Sequence, residues 1–267
     1  MKLFIKKNFL TIVSILILFI WSICCLIPFH MPMETNDPLI CFYIIVCDKM
    51  LLLMIIAPLF VIVPSIYDFH KKLHSGFIKN CLTRTSYMKY IKSLYLEALL
   101  KSIIILPIFI IILLLLCCVK TGNISFGSGI NYYGYYTSPP IQFSKNIIAF
   151  MFYYLIGIIL NSIFYMNLGI IFIKKNSNVF VAIILAFISF IMLDIIGEGF
   201  IGGLILAKTF NIHHYQDLFN LFNVWVYDGI KNLNLCMLYY FVLLFITSLI
   251  VFLQYRKKED VIIETEK

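Results

Sequence analysis

Six apolar runs constrain this chain more than any other feature, because each is long enough to cross a lipid bilayer as a helix. Each has about 17 or more residues, and at ~1.5 Å per residue such a helix covers most of a ~30 Å hydrocarbon core. The runs are Phe9–Ile27, Met50–Ile66, Ser102–Val119, Ile147–Ile173, Val179–Ile196 and Leu235–Leu253. They predict an all-α integral membrane protein with six transmembrane helices.

The composition agrees with a membrane protein. The chain is 62% hydrophobic and 13% charged, whereas about a quarter of the residues in a soluble protein are charged. A net charge of +8 indicates nucleic-acid binding in a soluble protein. Here the cations cluster at the ends of the spans, where they set topology, so we expect no nucleic-acid partner.

The distribution of Lys and Arg predicts that both termini are cytoplasmic. In that orientation sixteen of the 21 cations face the cytoplasm and five lie outside, as the positive-inside rule requires. The first run is too long for the core of a signal peptide, so we keep it as a span. We predict one transmembrane domain over residues 1–258, a charged tail over 259–267, and a multi-pass location in a bacterial plasma membrane.

Two outer segments are more apolar than ordinary loops. Leu39–Cys47 is predicted to be an outer or re-entrant piece, because Asp48 and Lys49 separate it from the second span. Gly197–Asn234 opens with a glycine-broken apolar sequence. We expect it to form a re-entrant element between spans five and six, packed against protein.

The stretch Tyr67–Lys101 is the one long basic island between spans. Asp68 and Glu97 are its only acidic residues, and the order of Glu97 and Lys101 suits a helical i, i+4 ion pair. Ser86 is a candidate N-cap for a helix over Tyr87–Val119. Apolar residues before it share one helix face: Leu73, Phe77, Ile78, Cys81 and Leu82. This predicts a short amphipathic helix, a turn and a long helix.

Two functions of the island remain open. A basic amphipathic segment lies well on anionic lipid, which makes membrane lipid one expected partner. The apolar face and the turn also suit a docking element for a cytoplasmic protein.

Motifs for catalysis and for metal or cofactor binding are absent from the sequence. It contains no G-x-x-x-x-G-K-[ST], no H-E-x-x-H and no G-x-S-x-G, so we expect no enzyme activity and no cofactor. None of the eight cysteines forms a CxxC pair, although Cys41 and Cys47 are an option for an external disulfide. His70 and His74 have i, i+4 spacing, and we expect a solvated helix face there and no metal site.

Polar residues in the later spans are candidates for a transport pathway. Asp194 and Glu198 lie i, i+4 at the outer end of span five, where a wet membrane interface is the alternative explanation. Asn161 is a third candidate. For Asn161 and Asn167 in span four, a hydrogen bond to a neighbouring helix is the simpler expectation.

The island contains the stretch SGFIKNCLTRTSYMKYIK, from Ser75 to Lys92. A small-residue turn and a short helix precede a threonine, an arginine, a polar turn, a tyrosine and a lysine. This order resembles the segment after the second span of type-2 ATP-binding-cassette (ABC) transporter permeases. The six-span layout, with a re-entrant element before the last span, is similar to the same family. Thr85 stands where that family usually has a proline.

The resemblance implies the permease subunit of an ABC transporter, driven by a separate cytoplasmic ATPase. The permease would pair as a homodimer, or as a heterodimer with a second permease, and export a peptide, bacteriocin, drug or lipid. The island would hold the cytoplasmic coupling helix that contacts the ATPase. Its coupling residues would be Phe77, Leu82, Arg84, Tyr87 and Lys92. A non-transport membrane protein, such as an immunity, scaffold or sensor protein, is the alternative.

Overall fold

The computed structural model describes residues 8–27, 37–46, 51–74, 86–124, 147–209 and 233–256. This part of the chain is helical and contains no strand. Its helices are α1 (Phe9–Leu26), α2 (Pro38–Ile44), α3 (Leu51–His74), α4 (Tyr87–Thr121), α5 (Ile147–Ile173), α6 (Val179–Asp194), a π-helical segment (Ile195–Thr209) and α7 (Leu233–Gln254).

Within these residues, five helices are long and apolar enough to cross a membrane. They are Phe9–Leu26, Tyr87–Thr121, Met151–Ile173, Val179–Ile205 and Met237–Gln254. The all-α prediction is confirmed for the described residues, and the chain has the character of a multi-pass membrane protein. The second predicted span lies in α3, which is continuous but is not among the five. Asp68, Lys71 and Lys72 lie in its last turns, after the predicted span.

Helix α5 lies at the centre of the bundle. It packs against α3, α4, α6 and α7. Most of its span is buried, whereas only 22% of the span that contains α6 and 22% of the span in α7 is buried. At Gly169 it approaches α3 so closely that an added Cβ would lie 2.6 Å from Cγ2 of Ile66. A glycine at this point lets the two backbones come together, as small residues do between membrane helices.

Short helix α2 packs against α4 on the side away from the basic island. Asp37 caps it, because its Oδ1 accepts a hydrogen bond of 2.9 Å from the backbone N–H of Leu39. Pro38 fits the first helical position, where no N–H is required. With seven residues, α2 is shorter than a helix that crosses a bilayer. The predicted outer or re-entrant piece continues to Cys47, which lies outside the described residues.

The helical structure that contains span five continues beyond its predicted end at Ile196. The chain continues from α6 as the π-helical segment Ile195–Thr209, and Val179–Ile205 forms one candidate span. Glycine lowers helix propensity in water, but in an apolar environment a helix end would leave backbone groups without partners. The rest of the predicted re-entrant element, residues 210–232, lies outside the described residues, as do the tail over 259–267 and Cys47.

Contacts between helix ends gather the basic residues at one end of the bundle. The Tyr87 hydroxyl donates to the backbone oxygen of Tyr255 over 3.0 Å. The Tyr255 hydroxyl in turn donates to the backbone oxygen of Ile170 over 3.1 Å. We call the end of the bundle that contains these contacts the basic end. Its described cations include Lys71, Lys72, Lys89, Lys92, Lys174, Lys175 and Arg256.

Candidate functional site

The structure places two of the five predicted coupling residues. Tyr87 and Lys92 lie in the first turns of α4 at the basic end, and α4 begins at Tyr87 as expected. Ser86 stands at the N-cap position, but its side chain makes no capping hydrogen bond. Phe77, Leu82 and Arg84 lie outside the described residues, as does the predicted short helix.

Tyr87 and Lys92 have different surroundings. Tyr87 is only 8% exposed, and its hydroxyl ties α4 to the end of α7. Lys92 is exposed and borders a groove between the same two helices. Tyr87 therefore holds the helices together, and Lys92 is the one of the two that offers a charge to a partner.

Ion pairs join the ends of α3 and α4. Lys72 Nζ lies 2.6 Å from Glu97 Oε2, and Lys101 forms a salt bridge with Asp68. Glu97 Oε1 is 3.8 Å from Lys101 Nζ, which confirms the pair expected from the sequence. We call these four residues the α3–α4 brace. Lys101 is 6% exposed, so this last cation of the basic island is buried.

The two histidines of α3 were expected on a solvated face, and that prediction was wrong. His70 Nε2 lies 3.2 Å from the backbone oxygen of Asn176, and His74 Nε2 lies 3.1 Å from that of Ile173. The two rings stack with centroids 4.4 Å apart. Both are half-buried, so they pack α3 against the turn between α5 and α6.

The environment of the histidines lowers the pKa of His70. Burial is the larger cause and repulsion from His74 the second, while hydrogen bonds to the backbone oppose them. The described residues contain no group of three or more side chains that would hold a metal ion.

A polar network crosses the bundle interior beside these contacts. The Tyr95 hydroxyl donates to Asn167 Oδ1 over 2.9 Å, and Asn167 Nδ2 donates to Ser248 Oγ over 2.9 Å and to Thr247 Oγ1 over 3.4 Å. The expectation that Asn167 bonds neighbouring helices is confirmed. The network joins α4, α5 and α7.

Asn161 differs from this expectation. Its Nδ2 donates to the Tyr165 hydroxyl over 2.8 Å on the same helix, because the two residues are i, i+4. Its Oδ1 is buried and has no hydrogen-bond partner among the described residues. Tyr165 packs edge-on against Phe190 of α6, with centroids 5.1 Å apart. Asp194 lies one helical turn beyond Phe190 on α6.

Asp194 and Glu198 flank the start of the π-helical segment. Asp194 is the last residue of α6, and Glu198 lies in the first turn of the segment. Both are half-buried and take part in interactions within the protein. π-Helical geometry is rare and often marks functional positions, which keeps both residues as candidates for a pathway.

A groove of about 330 Å³ opens between α4 and α7 at the basic end, and we call it the α4–α7 groove. It is lined by Met88, Ile91, Lys92, Tyr95, Leu96, Ser248, Val251, Phe252 and Tyr255. The residues from α4 recur at i, i+3 and i+4, so they form one stripe along the helix. Sequence reasoning missed the groove, because the two helices lie more than a hundred residues apart in the chain.

Comparison with known proteins gives no relative for this chain: no protein-family model, no curated protein and no solved structure matches it.

Proposed function

We propose that this protein is the membrane-spanning permease subunit of an ABC exporter, driven by a separate ATPase that binds at the basic end. The observation that carries the proposal is the braced pair of helices α3 and α4. Helix α4 has 35 residues, which is about 52 Å at 1.5 Å per residue. A bilayer core of about 30 Å leaves roughly 20 Å of this helix outside.

The brace makes the projecting parts of α3 and α4 one mechanical unit. Lys72–Glu97 and Lys101–Asp68 connect them side by side, and the Tyr90 hydroxyl adds a hydrogen bond of 3.3 Å to the backbone oxygen of Lys72. Residues 75–85 link the two ends, and they include Phe77, Leu82 and Arg84. A force applied to this link is passed to both helices together.

The same unit is connected to the rest of the bundle. Helices α3 and α4 both pack on central helix α5, and Asn167 bonds both α4 and α7. Movement of the braced pair therefore reaches the interior of the bundle. The chain has no nucleotide-binding motif, so the ATPase would be a second protein. That protein drives a change only if it binds the two conformations with different affinity.

Substrate and pairing follow the permease hypothesis. The substrate would be a peptide, bacteriocin, drug or lipid, and Asp194, Glu198 and Asn161 are candidates for its route. The permease would work with a second copy of itself or with another permease. If these residues line the substrate route, the double variant Asp194→Asn, Glu198→Gln lowers export while the amount of protein in the membrane stays unchanged.

Site-specific photocrosslinking from the link between α3 and α4 tests the proposal. A photoreactive phenylalanine analogue replaces Phe77 in cells, and the crosslinked protein is identified by mass spectrometry. We expect a protein that carries a G-x-x-x-x-G-K-[ST] motif. The matched control places the same analogue at Ile124, an exposed residue at the other end of α4, and yields no such protein.

Loss of the interaction provides the second measurement. Phe77→Ala is expected to weaken ATPase binding by about thirtyfold, since a hot-spot loss is about 2 kcal/mol. Arg84→Glu is expected to weaken it as well, whereas Lys79→Glu is the matched charge control and retains binding. If no nucleotide-binding protein crosslinks at position 77 and both variants behave as wild type, the permease proposal fails. A non-transport membrane protein is then the better explanation.

A further inference from the structure

We propose that the α4–α7 groove binds an acyl chain of an anionic phospholipid, whose phosphate lies against Lys92. The volume of about 330 Å³ lies at the lower end of the ~300–1,000 Å³ usual for ligand sites. A lipid site of this kind does not depend on transport activity, because it rests only on the surface formed by α4 and α7.

The polar atoms that line the groove are largely occupied by other parts of the protein. The Tyr95 hydroxyl donates to Asn167, and Ser248 Oγ accepts from Asn167. The Tyr255 hydroxyl donates to the backbone of Ile170. The remaining lining is aliphatic and aromatic apart from Lys92. An occupant therefore needs an apolar body, since a polar one would lose its hydrogen bonds to water without replacement.

The mouth of the groove carries positive charge. Lys92 lines it, and Lys89 lies three residues earlier on the same side of α4, also exposed. Arg256 is exposed directly after Tyr255. Glu97, the acidic residue nearest to Lys92 in sequence, points to the opposite side of α4, where it binds Lys72. The charge at the mouth thus fits a phosphate, and the apolar interior fits a hydrocarbon chain.

The position of the groove favours a lipid over a soluble ligand. Ser248, Val251 and Phe252 belong to the last turns of the candidate span Met237–Gln254, and they face the part of α4 that precedes its predicted span, so the groove lies at the membrane boundary. Leu96 and Phe252, which border the mouth, are 57% and 52% exposed. A phospholipid at the cytoplasmic boundary of the surrounding leaflet reaches this opening, and its headgroup meets the cations at the basic end.

Native mass spectrometry of the purified protein in detergent tests the site. The protein is titrated with phosphatidylglycerol and, separately, with phosphatidylcholine that carries the same acyl chains. We expect one phosphatidylglycerol to bind at least fivefold more tightly than phosphatidylcholine. Lys92→Gln is expected to weaken phosphatidylglycerol binding about fivefold, the contribution of one cation to binding anionic lipid, without changing phosphatidylcholine binding.

Matched variants separate the groove from general surface effects. Lys175→Gln removes another exposed cation at the basic end and is expected to leave both affinities unchanged. Leu96→Trp narrows the mouth and is expected to weaken both lipids, whereas Leu100→Trp, at a position that is 59% exposed on the same helix outside the groove, has no effect. Equal unfolding temperatures of the paired variants show that the fold is retained.

Three results overturn the proposal. If Lys92→Gln and Lys175→Gln lose phosphatidylglycerol affinity equally, lipid binding depends only on the total charge of the protein. Unchanged binding in Leu96→Trp means that no acyl chain enters the groove. If removal of residues 257–267 raises the affinity for both lipids tenfold or more, the chain's own C-terminal segment is the occupant of the groove.

Discussion

Lys101 is a charged side chain held almost without contact with water. It is 6% exposed and pairs with Asp68 on the adjacent helix. Removing one partner of a buried ion pair leaves the other charge without compensation, whereas replacing both by apolar residues is often neutral. The pair therefore specifies how α3 and α4 align more than it adds stability.

The first prediction concerns this pair. Asp68→Leu alone is expected to destabilise the protein by about 3 kcal/mol, moderated by Glu97, which is 3.8 Å from the ammonium. Asp68→Leu with Lys101→Met is expected to recover most of that loss. Thermal unfolding in detergent measures both, with exposed Lys92→Met as the control. Strictly additive losses would show that the two residues do not interact.

The second prediction is a pH dependence from His70. Its pKa in the folded protein is lowered by burial and by His74, so it lies below the unfolded value of about 6.5. The unfolded state then binds more protons between these two values, and this contribution to stability is complete above about pH 6.5 and is lost as the pH falls below it. His70→Gln is expected to lose less stability than wild type between pH 7 and pH 5. Identical pH profiles for the two proteins would contradict the assignment.

At the scale of helices, α5 and α3 approach each other closely at Gly169. A Cβ there would lie 2.6 Å from Cγ2 of Ile66 and 3.3 Å from Cγ2 of Ile62. These atoms belong to β-branched side chains with few rotamers, so they cannot easily move aside. The spacing of the two helices depends on the missing side chain.

The third prediction follows from this contact. Gly169→Ala is expected to cost about 1–3 kcal/mol by overpacking, and Ile66→Ala in the same protein is expected to relieve part of the cost. Gly199→Ala is the matched control, since nothing lies within 4 Å of a Cβ at that position. Unfolding temperatures and retention of a monodisperse elution profile report the result. Equal changes in unfolding temperature at Gly169 and Gly199 would show that helix propensity, not packing, determines the effect of the added methyl group.

For the whole molecule, the fourth prediction is the orientation in the membrane. Sixteen of the 21 cations fall on one side if both termini are cytoplasmic, and the described ones gather at one end of the bundle. In a cysteine-free background, single cysteines at Ser75 and Lys258 are expected to resist a membrane-impermeant thiol reagent in intact cells. Cysteine at Asn131 is expected to react. Permeabilised cells provide the control, and labelling at Ser75 from outside would refute the orientation.

Features encoded within one stretch of sequence could be predicted, and those built between stretches could not. The start of α4 at Tyr87 and the i, i+4 pair of Glu97 and Lys101 depend only on near neighbours. The contacts of His70 and His74 join positions 106 and 99 residues apart. The local sequence pattern therefore predicted only a polar, solvated helix face. The α4–α7 groove was missed for the same reason, although its stripe on α4 is visible in the sequence.

The three contacts of Tyr255 have a consequence for how the protein is made. Its backbone oxygen binds Tyr87, 168 residues earlier, and its hydroxyl binds Ile170, 85 residues earlier. Its ring packs edge-on against Phe69 at 5.6 Å. During synthesis α3, α4 and α5 leave the ribosome before this residue exists. The contacts that Tyr255 adds to their ends form only after α7 has entered the membrane, so an arrested or truncated chain that lacks Tyr255 should be an early target for membrane proteases.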